Sequence, residues 1–322
     1  VKRERGTSPR GTLEEGGVWY KGNLHSHTTL SDGRLSPEEL IAAYRGRGYD
    51  FLAITDHNIF DRHEAGDGFL VIPSFEYTFA ERNGDYREFH FNVFAERWAA
   101  FDGYPFGTGN VLKPKPLQGK GLKAVQDVID EFKAKGCLVM LNHPHWSLIE
   151  LEDILPLQGY FGVETYNYSS YYLENMGVST IIWDSLLRRG RQVWGIATDD
   201  NHNLFPLDSD SCDSFGGWVC VKAKELTAPA ILDAVAEGSF YSSAGPEIRR
   251  FAIEDDRVIF ECSTVDRIHV VGDRRQYQTA VGRPGRRDLT SFSTRLKGGE
   301  KYVRVECVDA TGRRAYTNPI FL

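Results

Sequence analysis

Apolar residues in this chain follow two patterns in turn. From Val18 to about Ser243, short continuous runs alternate with segments in which apolar positions recur every three or four residues. The runs include Phe51-Leu52-Ala53-Ile54, Phe69-Leu70-Val71-Ile72, Phe91-Asn92-Val93-Phe94, Cys137 to Leu141, Phe161-Gly162-Val163 and Val193 to Ile196. All are of strand length, and their alternation with helical patterns predicts β/α units around a parallel sheet. At Ser36-Pro37-Glu38-Glu39, Ser36 can cap, Pro37 suits the first helical position and Glu39 completes a capping box. Leu40, Ile41 and Tyr44 then face the sheet. A second helix carries Leu122, Val125, Ile129 and Phe132, and Gly136 is placed to end it. A third spans about 180–189, and a fourth follows Thr227 with Ile231, Leu232 and Val235 before Gly238. After Gly245-Pro246 the period drops to two, as in Val303 to Val308, with turn signals at Gly272-Asp273 and Gly298-Gly299. The chain therefore divides into a flexible N-terminal arm (1–17), an α/β region (18–245) and a small antiparallel all-β domain (246–322).

Composition narrows the class. With 41% hydrophobic and 26% charged residues over 322 positions, the chain can bury a sizeable core. No apolar run approaches the roughly 20 residues needed to cross a bilayer, and the first twenty lack a signal-peptide block, so a cytoplasmic protein without a membrane partner is expected. The net charge of −7 comes without a clustered Lys/Arg stripe, which disfavours a nucleic-acid duplex as partner. The acid excess belongs to residues 1–245, at −11, whereas 246–322 carry +4. Five cysteines without a CxxC indicate neither a disulfide framework nor a zinc knuckle, in keeping with a reducing compartment.

Seven of the nine histidines fall at or just after expected strands, often beside a carboxylate. In a β/α barrel the loops after the strands meet at one face, which would bring these residues together. They are His25, His27 and Asp32 after strand one, Asp56 and His57 after strand two, Glu76 after strand three and His90 in strand four. His143 and His145 follow strand five, Glu164 lies in strand six, and Asp199, Asp200 and His202 follow strand seven. A single His-x-His carries little weight, and Asp56 could simply cap a segment. Their coincidence carries more, because imidazole and carboxylate donors suit Zn, Mn or Fe and their number implies two or three divalent ions.

Asn23-Leu24-His25-Ser26-His27-Thr28-Thr29-Leu30-Ser31-Asp32-Gly33 and Ile54-Thr55-Asp56-His57-Asn58 resemble the first two motifs of the PHP (polymerase and histidinol phosphatase) domain. Asn142-His143-Pro144-His145 and Ala197-Thr198-Asp199-Asp200-Asn201-His202 resemble its third and fourth. The segment from Gly238 to Pro246 and Asn318-Pro319 resemble the carbaryl-hydrolase-like (CehA-type) branch. The resemblance implies a distorted (β/α)7 TIM-like barrel with a small C-terminal antiparallel β-sandwich-like domain. It also implies that His25, His27 and Asp200 hold a first metal, that Glu76 bridges to a second completed by His90 and His143, and that Asp32, His57 and His202 hold a third. Asn23 departs from the aspartate common there, and the Asp199-Asp200 pair leaves open which carboxylate binds; the spacing to His202 favours Asp200.

The implied activity is metal-dependent hydrolysis of a small phosphate monoester or diester by a metal-bridging hydroxide, with His145 or Asp199 delivering the proton to the leaving group. Asp200 is counted with them as catalytic. His145, Asn58, Glu164, Asn167 and Tyr168 are candidates to contact substrate, Glu164 alternatively to orient a ligand histidine. Arg82, Arg87 and Lys120 fall in loops of the expected face, where an arginine or lysine could clamp phosphate. A carbamate, ester or amide hydrolase using the same metals is the alternative, and an inactive metal- or ligand-binding module a third. Homo-oligomerisation through the β domain is left open.

Overall fold

Helix α1 (Pro37–Gly46) starts on the signal read in the sequence: Ser36 Oγ accepts the Glu39 N–H, the Glu39 carboxylate accepts the Ser36 N–H, and Leu40, Ile41 and Tyr44 are buried. The structure, a computed structural model, describes residues 13, 17–79, 87–102, 121–275, 278–282 and 288–322. Helix α2 (Gly121–Ala134) buries Val125, Ile129 and Phe132, and Gly136 follows it at φ 80°. Two short helices were not expected, α3 (Leu151–Ile154) and α4 (Tyr168–Glu174). In α4 only Ser170 is buried, so there is no apolar stripe to read; Asn167 starts it by accepting the Ser170 N–H. Helices α5 (Thr180–Arg188) and α6 (Ala228–Ala236) lie where expected.

Strands β1 (Val18–Asn23), β2 (Phe51–Ala53) and β3 (Leu70–Ile72) pair in parallel. A second sheet runs in the order β4 (Ser74–Thr78), β5 (His90–Phe94), β6 (Leu138–Leu141), β7 (Gly162–Asn167) and β8 (Trp194–Thr198). The expected all-parallel arrangement is corrected here. The β4–β5 and β5–β6 pairs are antiparallel, as are the pairings of β9 (Trp218–Ala223) with β1 and with β10 (Phe240–Ser243). A parallel return needs a crossover, usually helical, and the described residues between β4 and β5 hold none. Glu76 is likewise not in a loop after strand three. Pro73, which cannot donate to a ladder, separates β3 from β4, and Glu76 sits in the middle of β4.

The two sheets meet at both edges through single bridges, Ser26 with Asn201 and His57 with Glu76. At the first edge the His27 N–H donates to the Asn201 carbonyl at 3.1 Å; at the second the Asn58 N–H donates to the Glu76 carbonyl at 2.7 Å. The (β/α)7 expectation is thus met in coarse form, as a mixed α/β lobe of two sheets around a core that includes Phe51, Ile72, Phe94, Met140, Ile196 and Val219.

The C-terminal residues form the antiparallel lobe. Strands β11 (Ile248–Glu254), β12 (Arg257–Val265) and β15 (Leu289–Arg295) make a three-stranded sheet. Strands β13 (Arg267–Gly272), β14 (Gln278–Val281), β16 (Tyr302–Val308), β17 (Arg314–Thr317) and β18 (Ile320–Phe321) continue the first sheet, because β17 pairs with β10 across the 245/246 border. Val303, Val305 and Cys307 enter the core between the layers, as the period of two predicts. Arg304, on the other face of β16, is 1% exposed instead of solvated, because that face packs on α5: its guanidinium donates to Asp184 at 2.8 and 3.0 Å. In the arm, Leu13 is fully buried and exchanges backbone hydrogen bonds with Phe251, so at that residue the chain is pinned and not loose; 1–12 and 14–16 lie outside the described residues. All five cysteines are buried free thiols. Among the described residues no helix is long and apolar enough to cross a membrane.

Candidate metal centre

Beyond β1 the chain stays extended, so His25 and His27, two apart, point to the same side while Ser26 turns back to bond the Ala53 carbonyl. The loop that follows folds over Asp56, whose carboxylate accepts from the Thr28 N–H and hydroxyl and from Ser31. Asp56 therefore fixes the loop that delivers Asp32. Gly33 packs in that loop where a Cβ would lie 2.5 Å from the His27 carbonyl oxygen.

Nine side chains converge from six strands, β1, β2, β4, β5, β6 and β8 or the loops just beyond them. His25 Nε2 and His27 Nε2 are 3.1 Å apart, and each lies 3.0 Å from Asp200 Oδ1. Glu76 Oε1 is 3.4 Å from His25 Nε2, 3.5 Å from His143 Nε2 and 3.2 Å from His90 Nδ1. On its other side Glu76 Oε2 is 2.7 Å from His57 Nδ1. Asp32 lies 3.5 to 3.6 Å from His27, His57 and His202. Four overlapping groups can each hold an ion: His27, Asp32, His57 and His202; His25, His27 and Asp200; His25, Glu76 and His143; His57, Glu76 and His90.

The donor set fits divalent ions on three counts. Ligands on bonds of about 2.0–2.2 Å lie roughly 3.3–3.6 Å apart at a tetrahedral ion, close to the separations found here. Three imidazoles present Nε2 inward while Nδ1 is anchored: His25 on Glu164 at 2.9 Å, His143 on Ser147 at 3.0 Å and His202 on the Asp200 carbonyl at 3.0 Å. That anchoring is the usual support of a metal-bound histidine. Finally, Glu76 Oε2 and His90 Nδ1 are buried with close contacts at 2.7 and 3.2 Å but no well-aligned hydrogen bond, a cost that a bound cation would relieve.

The electrostatics match. Burial opposes charge on both partners, yet the neighbouring imidazoles hold Glu76 and Asp200 well below the usual carboxylate range. Burial likewise disfavours imidazolium, but Asp200, Glu76 and Glu164 raise His25 well above its ordinary value, and Asp32 and Asp200 lift His202 to about 9. His27, buried and facing His202 and His57, falls to about 4. Without metal, protons on the imidazoles balance the carboxylates.

The other expected site residues occupy different places. Asp199 is fully buried and turned away, its carboxylate accepting from Tyr44 and from the N–H groups of Phe215, Gly216 and Gly217. Burial pushes it up to about 7, but the geometry does not bring it to the cluster as a proton donor. His145, two residues along from His143, is exposed, and its N–H donates to Ser179. Asn58 spends its amide on both backbone groups of Thr78 and is no longer free to meet substrate. Glu164 orients His25 and accepts from the His143 N–H and Thr198. Asn167 donates to Glu164 and, at 2.8 Å, to Asp200. Tyr168 stands against Tyr172 and Gly216 outside the cluster. Arg87 pairs with Asp153 and is not a free clamp; Arg82 and Lys120 lie outside the described residues. The sequence reading missed Asn142, which donates to Glu76 at 2.6 Å, and Trp146, whose ring stands 4.9 Å from His143. Asn142 opens the His143 motif and Trp146 directly follows it, the one signal that could have found them.

No protein-family model and no curated protein matches the sequence. The structure does have counterparts. A two-domain protein from Bacteroides vulgatus, containing a predicted PHP-like metal-dependent phosphoesterase, is 16% identical and superposes with a TM-score of 0.50 over 99% of this chain and 100% of that one. The fold resembles that of a two-domain PHP-like protein. An amidohydrolase from Chromobacterium violaceum, with bound sulfate and no metal, is 15% identical over 56% of this chain and 87% of that one, with a TM-score of 0.38. The likeness to the Bacteroides vulgatus protein covers the β lobe as well as the α/β lobe.

Proposed function

We propose that this protein is a PHP-type metal-dependent phosphoesterase cleaving a small phosphate monoester or diester. The observation that carries the proposal is the convergence of six histidines and three carboxylates with donor atoms 2.7 to 3.6 Å apart and two buried atoms left without well-aligned hydrogen bonds. His25, His27 and Asp200 would hold one ion, Glu76 with His90 and His143 a second, and Asp32, His57 and His202 a third. Such ions supply Lewis acidity toward a phosphoryl oxygen and make water a nucleophile at neutral pH. Zn, Mn and Fe all suit the donors. Glu164 and Asn167 keep the His25 and Asp200 donors aimed inward, and Trp146 shields His143 from water. His145, exposed and two residues from His143, is our candidate to give the leaving oxygen its proton. We read the two bridged sheets as one distorted (β/α)7 barrel and the β lobe as that of the CehA-type branch.

The test is nitrophenolate release by manganese- or zinc-reconstituted protein from matched phosphate monoester, phosphate diester, acyl ester and carbamate. Release from a phosphate ester that vanishes in His25→Ala and falls in His145→Ala is expected. Turnover of acyl or carbamate esters alone would replace the proposal with an acyl hydrolase on the same metals.

A further inference from the structure

A bulge gives β7 two working faces. Glu164 and Asn167 are three apart and in a regular strand would point to opposite sides. The pairing with β8 shifts register between Glu164 and Tyr166, so both reach the cluster, where the Asn167 amide donates to Glu164 at 3.0 Å. Thr165 and Tyr166 turn the other way. There they line a cavity of about 480 Å³ whose far wall is the β16–β17 hairpin of the C-terminal lobe. None of the nine clustered residues lines it, and its volume falls within the roughly 300–1,000 Å³ of small-molecule sites.

The lining defines what would fit. Tyr166, Tyr171 and Tyr316 supply ring faces, the first two 5.2 Å apart, and Val178, Ala197 and Ala244 add apolar surface. Hydroxyls of Thr165, Thr180, Ser243 and Thr311 also line it; Thr165 already bonds Tyr316, Ser243 the Pro246 carbonyl and Thr311 Asp309, so a ligand hydroxyl would share them as a further partner. The charged groups are already matched: Glu306 accepts from Arg304 at 2.6 Å and Arg314 at 3.2 Å, and Arg313 donates to Asp309 at 3.1 Å. An ionic ligand would compete with these pairs for the same charges, whereas a neutral ring can stack on the tyrosines without disturbing them. Tyr171 and Val178, each 45% exposed, form the entrance.

We propose that this cavity is a second binding site, separate from the metal centre, for a neutral hydroxyl-bearing ring compound such as a glycoside. Because β7 carries both Glu164 and Tyr166, its occupant contacts the strand that aims His25.

Calorimetric titration of the full chain with phenyl β-D-glucopyranoside tests this, with phenyl β-D-glucuronide as the carboxylate-bearing counterpart. Saturable binding of the glucoside is expected, with the glucuronide at least about tenfold weaker. Val178→Trp, at an exposed position where the fold is undisturbed, should weaken the glucoside about tenfold by blocking the entrance, while His25→Ala leaves it unchanged. Absence of saturable glucoside binding, equal affinity for the glucuronide, or binding lost in His25→Ala but kept in Val178→Trp would each overturn the proposal.

Discussion

Charge is buried in two places in this molecule, and on different terms. Arg304 in β16 lies between Asp184 and Glu306, over the Trp183 ring at 4.6 Å, with each guanidinium bond met by a carboxylate. At the strand ends, three carboxylates and six histidines crowd together, and balance is reached only if imidazoles such as His25 and His202 carry protons that their burial opposes. The first arrangement is complete as a protein structure and holds the β lobe against α5. The second leaves Glu76 Oε2 and His90 Nδ1 without well-aligned hydrogen bonds and becomes complete with a cation. Buried charge whose hydrogen bonds close within the protein is architecture; buried charge whose bonds do not close is a site.

That contrast can be broken by experiment. The largest effect is expected from Arg304→Ala, which leaves Asp184 without its arginine and Glu306 with Arg314 alone, and should cost about 3–5 kcal/mol in urea unfolding of the full chain. Glu76→Gln, which removes a charge from an unbalanced cluster, should cost far less in chelator-treated protein; equal costs would erase the distinction. Next in size, a divalent ion at about a hundred times its dissociation constant should stabilise wild type by about 2.7 kcal/mol. Arg304→Ala should keep that increment in thermal unfolding and Glu76→Gln should lose most of it. Asn167→Ala, which frees Asp200 and Glu164, should weaken metal affinity about 10–100-fold in competition with a chromogenic chelator; unchanged affinity would show that the amide only caps α4.

The smallest effect concerns pH. Burial would raise the Glu306 pKa, but Arg304 and Arg314 more than offset this and hold it below its ordinary value. Its contribution is then fully present above the unfolded carboxylate value of about 4.3 and is lost as pH falls through the lower folded value. Stability measured against pH in that acid window should fall less steeply in Glu306→Gln than in wild type, and parallel curves would remove Glu306 from the balanced network.

The same contrast explains what the sequence could reveal. Seven of the nine clustered residues lie in four short motifs, with Glu76 and His90 outside them, and their residue types are costly to bury without a purpose, so their coincidence stands out. The supports around them do not. Asn142, Thr198 and Ser147 are ordinary polar residues whose roles depend on partners such as Glu76 and Glu164 that are distant in sequence. In sequence Asp199 is a candidate proton donor because it neighbours the expected ligand Asp200, but consecutive residues leave a strand in opposite directions. Capping at Ser36 and the stripe of α2 are local signals and were legible. The antiparallel turn at β4–β5, the burial of Arg304 and the bulge at Glu164 are set by what packs against them, and the alternation of residue types carries no trace of that.

The most direct measurement is metal content per chain, by plasma mass spectrometry, after reconstitution and exhaustive dialysis against metal-free buffer. We expect about two to three equivalents in wild type, as a nitrogen- and oxygen-rich set of this size can hold, and at least one fewer in both His25→Ala and Asp32→Ala while Arg304→Ala keeps the full number. Wild-type protein that retains well under one equivalent, with the variants no different, would contradict a metal centre at the strand ends.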